Sequence, residues 1–150
     1  MLDKGDKIPD ITLEDQNSQS ISLRSYIGKN VVVYFYPKDF TPGCTKEACS
    51  FRDNYSLLEK YGAAVVGISA DSPASHKKFA KAYNLEYTLL SDTHKKAEKA
   101  FGVKRNMFGL LPGRETFIFN QQGKLIGKFT SAIAATRHVE EAIKVLKKNQ

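Results

Sequence analysis

Three features of this 150-residue chain predict a layered α/β domain built on a mixed β-sheet. First, "NVVVYFYP" from residue 30 and "AAVVGISA" from residue 63 are nearly continuous apolar, β-branched runs, the pattern of strands covered on both faces. Second, stretches of helical periodicity separate the strand-like runs. Third, "RETFIFN" and "KLIGKFT" flank the turn "QQG" as a hairpin. The resulting order of strand, helix, strand, helix, strand, helix, hairpin, helix calls for right-handed crossovers in a parallel part and an antiparallel end.

Each element has a local reason. In "DITLEDQNSQSISL", Ile11 and Leu13, then Ile21 and Leu23, alternate with polar residues across a polar turn, an N-terminal β-hairpin. Residues 43 to about 61 carry helical spacing, with Gly62 as the stop. In "SPASHKKFAKAYN", Ser72 is the expected N-cap and Pro73 the first helical residue. "YTLLSD" is a short strand, and "DTHKKAEKAFG" a short helix capped by Asp92 and closed by Gly102. From Thr136 onward, Val139, Ala142, Ile143 and Leu146 fall at the spacing of an amphipathic helix. Its glutamates come early and its lysines late, matching the helix dipole.

The bulk numbers narrow the function. Hydrophobic residues at 41% and charged residues at 26% are ordinary for a globular chain, and residues 1–150 are expected to form one domain with its own core. No apolar run reaches the roughly 20 residues of a membrane span. "MLDKGDKIPDITL" lacks the apolar stretch of a signal peptide, which makes the cytoplasm the expected compartment. Thiols are reduced there, so a close cysteine pair points to catalysis or metal rather than a structural disulfide. The net charge of +7 is spread over "HKKFAK", "HKKAEK" and "VLKK", with no long like-charge run and no interleaved aromatics. Neither nucleic acid nor a membrane is expected as partner. His76, His94 and His138 each stand beside a Lys or Arg on helix-like stretches and are expected to be solvated.

Cys44 and Cys49 are the only cysteines, in "PKDFTPGCTKEACSFRD". Cys44 follows a buried strand and opens a helix, where backbone N–H groups lack intrahelical partners and favour an anion. A thiolate there is stabilised, and the thiolate is the nucleophile. Cys44, Ala48, Phe51, Tyr55 and Leu58 form one apolar stripe. Cys49 lies roughly 140° round the helix, toward the polar side, and about 8–9 Å from Cys44 between Cα atoms. A disulfide needs about 7 Å or less, so the pair cannot bond while the helix is intact. Pro42 and Gly43 mark a first turn that opens readily. The spacing fits neither a four-ligand metal site nor the C-x-x-C of thioredoxin-type exchange. Two small core residues remain the plain alternative.

Pro37, Thr41 and Cys44 match P-x-x-x-T-x-x-C, and the whole string resembles the Q-type peroxiredoxins, also called bacterioferritin comigratory proteins. Gly5, Asp6, Pro9, Asp10 and Leu13 fit that family's opening, and "RETFIF" its arginine strand, so the resemblance spans the chain. It implies a thioredoxin-like fold and a thiol peroxidase needing no metal, haem or flavin. It further implies that Cys44 is the peroxidatic and Cys49 the resolving cysteine, joined in a disulfide that thioredoxin reduces. By the same resemblance Thr41 bonds the reacting oxygen, Arg114 stabilises thiolate and leaving oxygen, Pro37 shields the pocket, and Glu47 orients the arginine. The group is often monomeric. Read singly, Thr41 also suits a helix cap, Arg114 a surface strand position with Arg105 and Arg52 as rivals, and Glu47 a dipole-facing acid. Phe40 suits either the substrate mouth or plain packing, and the apolar segment 107 to 113 a cover, a docking patch or core. The competing functions are a protein thiol–disulfide oxidoreductase and a non-catalytic redox-sensing module.

Overall fold

The computed structural model describes residues 2–106, 111–131 and 134–150. The chain runs β1 (Thr12–Asp15), β2 (Ser20–Ser22), a 3-10 turn (Leu23–Tyr26), β3 (Asn30–Phe35), α1 (Pro42–Asp53), α2 (Tyr55–Lys60), β4 (Ala63–Ser69) and α3 (Pro73–Tyr83). It continues through β5 (Thr88–Ser91), α4 (Lys96–Phe101), β6 (Arg105–Asn106), β7 (Leu111–Pro112), β8 (Glu115–Phe119), β9 (Leu125–Thr130) and α5 (Arg137–Lys148). Seven strands make one sheet in the order β2, β1, β5, β4, β3, β8, β9. The expected mixed sheet is present: β3, β4 and β5 pair in parallel, while β8 and β9 pair antiparallel beyond β3. The N-terminal hairpin joins the same sheet through β1 on β5.

Because side chains alternate along a strand, β3 feeds two cores. Val32, Tyr34 and Tyr36 face Ala48 and Phe51 of α1, Leu58 of α2, Phe79 of α3 and Val139, Ala142 and Leu146 of α5. Val31, Val33 and Phe35 face Phe101 of α4, Phe117, Phe119 and Ile8. Each buried Val, Leu, Ile or Phe among them contributes about 1.5–3 kcal/mol of hydrophobic stabilisation. Gly67 sits in mid-strand because a Cβ there would meet the Tyr34 ring at 2.9 Å.

Local signals behave as expected at several ends. The Ser72 side chain accepts from the Ser75 N–H at 3.2 Å with Pro73 opening α3, and Gly62 and Gly102 adopt positive φ of 68° and 70°. Three expectations change. The helix expected over residues 43 to 61 is broken at Asn54, whose side-chain amide donates to the Ser50 carbonyl at 2.9 Å and competes with the helical ladder. Asp92 does cap α4, but from a distance: its carboxylate accepts from Ala97 and Glu98 N–H at 2.9 Å, and the helix starts only at Lys96. Of the segment 107 to 113, residues 107–110 lie outside the described residues, and Leu111–Pro112 pairs with Arg105–Asn106 as a two-stranded ribbon. Among the described residues no helix is long and apolar enough to cross a membrane.

Candidate active site

The strand-to-helix turn after β3 carries the cysteines. Pro37 bends the chain, Thr41 takes the N-cap position in extended backbone (φ −77°, ψ 150°), and Cys44 falls in the first turn of α1. Its thiol is buried with 1% exposure, at the end of the helix where unpartnered N–H groups collect. Cys49 is half-buried on the same unbroken helix, and both thiols are free. The apolar stripe expected from Cys44 to Leu58 faces the core, with Tyr55 partly buried.

Arg114, just ahead of β8, spans two acids at once. Its Nη2 lies 3.5 Å from Cys44 Sγ and its Nη1 lies 2.5 Å from Glu47 Oε1. Gly43 permits this approach, since a Cβ at that position would stand 3.0 Å from Arg114 Nη2. Burial works against the guanidinium charge, but Glu47 and Cys44 beside it outweigh burial and raise its pKa. Glu47 is fully buried, not a surface acid facing the dipole. Burial pushes its carboxyl up to about 8, and Arg114 offsets only part of that. Its Oε2 has no hydrogen-bond partner among the described residues.

His138 closes the cluster from α5. Its Nε2 lies 2.9 Å from the Ser131 carbonyl and therefore donates, and its Nδ1 lies 2.7 Å from Thr116 Oγ1 and 3.6 Å from Glu47 Oε2. Burial pushes the imidazole down to about 4, so it is neutral and accepts the Thr116 hydroxyl hydrogen. The expectation of solvated histidines holds for His94, which is exposed, and fails for His76 and His138, which are fully buried. Both turn inward from amphipathic helices because polar partners wait beneath them. No place in the site was read in the sequence for Gly43, Thr116 or His138, and the one signal for His138 is its place four residues before Ala142 on the buried face of α5.

The remaining candidates sort clearly. Arg105 is engaged by Glu98, and Arg52 bonds Asp53 at 2.9 Å and the Tyr83 carbonyl at 2.8 Å. Thr41 makes no side-chain cap; its hydroxyl donates to the Lys38 carbonyl at 2.8 Å. Phe40 is 49% exposed, with its ring against Phe79. Beneath Cys49, the Tyr87 hydroxyl donates to the Ala48 carbonyl at 3.0 Å and pairs with Tyr34, whose ring stacks on Phe51. The arrangement sets a buried sulfur against a fixed cation at a helix N-terminus, which suits an anionic nucleophile and charge developing on an oxygen beside it.

A profile of the AhpC/TSA family matches residues 4–128. Chloroplastic Peroxiredoxin Q of Populus jackii is 48% identical over 145 residues, 97% of this chain and 68% of the relative. That of Sedum lineare is 50% identical over 143 residues, 95% of this chain and 77% of the relative. Among solved structures, peroxidoxin BcpB of Mycobacterium tuberculosis superposes with a TM-score of 0.92 at 35% identity, covering 100% of this chain and 99% of that one. The bacterioferritin comigratory protein of Xanthomonas campestris, studied for alkyl peroxide reduction, gives 0.88 at 30% identity, covering 98% and 99%. These likenesses bear out the thioredoxin-like fold. They also correct the cytoplasmic placement expected from the sequence: the plant relatives are chloroplast proteins and point to that compartment instead.

Proposed function

This chain belongs to the AhpC/TSA family and is a thiol-dependent peroxidase of the peroxiredoxin Q type, and on that premise we propose that Cys44 is the sulfur that attacks the peroxide. The thiolate attacks the terminal oxygen of a hydroperoxide. An S–O bond forms, the O–O bond breaks, and the departing alkoxide or hydroxide takes a proton from water, leaving a Cys44 sulfenic acid. Arg114 holds the thiolate and balances charge on the leaving oxygen. Glu47 orients Arg114, Thr41 contacts the peroxide, and Pro37 shields the pocket. The observation that carries this reading is the guanidinium shared between Cys44 Sγ at 3.5 Å and Glu47 at 2.5 Å.

Cys49 then attacks the sulfenic sulfur, forming the disulfide and releasing water. In an intact helix the two Cα atoms stand about 8–9 Å apart, beyond disulfide reach. The first turn of α1, from Pro42 and Gly43, unwinds to let them meet. An external dithiol, thioredoxin in this reading, restores both thiols by exchange. Substrates are hydrogen peroxide and small organic hydroperoxides, and the single domain acts as a monomer without metal, organic cofactor, nucleic acid or membrane.

Peroxide consumption with thioredoxin as donor tests the assignment. Cys44→Ser is expected to abolish turnover, and full activity in that variant refutes the role of Cys44. Cys49→Ser is expected to consume one equivalent and recycle poorly; rapid recycling removes Cys49 as the resolving thiol.

A further inference from the structure

His76 on α3 takes no part in the chemistry above, yet it is tied to the loop that leads into α1. Its ring is fully buried. Nε2 lies 3.0 Å from the Leu90 carbonyl oxygen, an atom that only accepts, so Nε2 carries a hydrogen. Nδ1 lies 2.7 Å from Oδ2 of buried Asp39. The Asp39 carboxylate also accepts from the Tyr36 hydroxyl at 2.5 Å and the Ser75 hydroxyl at 2.9 Å. Tyr36 stays a donor because burial, and then Asp39 beside it, push its hydroxyl far above the ordinary value of 10.0. Donated hydrogen bonds favour the ionised carboxylate. Nδ1 also lies 3.3 Å from the Tyr36 hydroxyl, whose hydrogen goes to the nearer Asp39 oxygen. A ring with one hydrogen would set a lone pair against the carbonyl or the ionised carboxylate, so the geometry favours Nδ1 as a second donor.

Asp39 is held by its backbone too, its N–H donating to Asp71 Oδ2 at 2.9 Å, which also accepts from Ser69 Oγ at 2.6 Å. Asp39, Asp71 and His76 bring ligand-type atoms within 4.8 Å of one another, but protein donors and acceptors already engage those atoms. The next link is Lys38, whose carbonyl directly precedes Asp39 and takes the Thr41 hydroxyl hydrogen at 2.8 Å. With that hydrogen committed, Thr41 Oγ1 offers only lone pairs. Phe40, between Asp39 and Thr41, is held at a φ of 66° with its ring 5.1 Å from Phe79, also on α3.

We propose that His76 is a positioning residue of the peroxidase: as an imidazolium it fixes Asp39 and the Lys38 carbonyl, and so presents Thr41 Oγ1 as the acceptor for the hydroxyl hydrogen of the hydroperoxide. This inference rests on the roles of Cys44 and Thr41 given above, and adds how the hydroxyl is aimed and by what.

The test uses the reduced full chain carrying Cys49→Ser, so that Cys44 is the one reacting thiol. Two rates are compared: Cys44 oxidation by hydrogen peroxide, and Cys44 alkylation by iodoacetamide, which needs a thiolate but no hydroxyl acceptor. His76→Gln is expected to slow oxidation on the order of tenfold while alkylation stays within about twofold. Added to Thr41→Val, it should cost little more, because it acts through that hydroxyl. Equal slowing of both reactions, an unchanged oxidation rate, or full additivity overturns the proposal. A wild-type oxidation rate in Thr41→Val refutes the Thr41 assignment and with it this step; slowing in Thr41→Val with none in His76→Gln removes His76 alone. Nitrogen NMR of the unsubstituted protein gives an arm independent of how the variants fold. Two protonated ring nitrogens on His76 are expected near neutral pH, and one bare nitrogen overturns the proposal.

Discussion

One strand, β3, serves two interiors of opposite character. Phe35 on one side lies against Phe101 and Phe117 at ring distances of 4.9 and 5.9 Å, in a cluster of aliphatic and aromatic side chains with buried Glu115 as its cross-strand partner at the margin. Tyr34 and Tyr36 on the other side are equally buried but end in hydroxyls bonded to Tyr87 and Asp39. On that second side, too, lie Cys44, Glu47, Arg114 and His138, all fully or nearly fully buried. The apolar side is held by area and close packing, so any well-fitting hydrophobic set of that volume serves. The polar side tolerates no such exchange, because each buried donor and acceptor needs its own partner. Both sides are held by buried apolar area, and the catalytic geometry is built into one of them.

The largest expected effect breaks the apolar side alone. Phe101→Ala should cost about 3–5 kcal/mol in denaturant unfolding. The peroxidase rate per folded molecule should stay unchanged; a parallel loss of rate would mean that the two sides are not separable. Arg114→Lys breaks the polar side. A single ammonium cannot reach Cys44 and Glu47 together in the forked geometry, and the oxidation rate should fall by about 10²–10³, or about 2.7–4 kcal/mol. Near-normal rates in stopped-flow oxidation would remove the fork from the mechanism.

His138→Gln sharpens the comparison through pH. The folded-state pKa is lowered from 6.5 to about 4, so between those values the folded chain binds fewer protons than the unfolded one. The contribution is fully present above pH 6.5 and is lost as pH falls toward 4, about 3 kcal/mol in all. Glu47 works in the opposite sense: its raised pKa stabilises fully below about 4.5 and loses that contribution as pH rises through about 8. The difference between wild type and His138→Gln in acid unfolding isolates the histidine, and parallel curves from pH 7 to 4 would show that it does not titrate this way. The smallest effect is expected for Tyr87→Phe, which removes the donor to the Ala48 carbonyl beside Cys49. A loss of about 1 kcal/mol is expected, and no measurable change in melting would mean that the bond adds nothing.

The order of the main elements, the strands covered on both faces and the cysteine turn were legible in the chain. The continuous apolar run in "NVVVYFYP", Pro73 after Ser72, and the 4, 3, 4, 3 spacing from Cys44 to Leu58 are local patterns, and local patterns depend on nearest neighbours along the backbone. Arg114 and Glu47, 67 residues apart, are joined in the sequence only by the family resemblance, because spacing alone never joins them. What the tertiary structure decided is which polar groups meet. Asn54 breaks a helix that apolar spacing alone would continue, because its amide takes a carbonyl of the preceding turn. His76 and His138, each beside a cation in the sequence, turn inward because Asp39 and Thr116 arrive from distant segments. A buried hydrogen bond is a property of two segments, and its sign reverses from costly to favourable only when the second is in place.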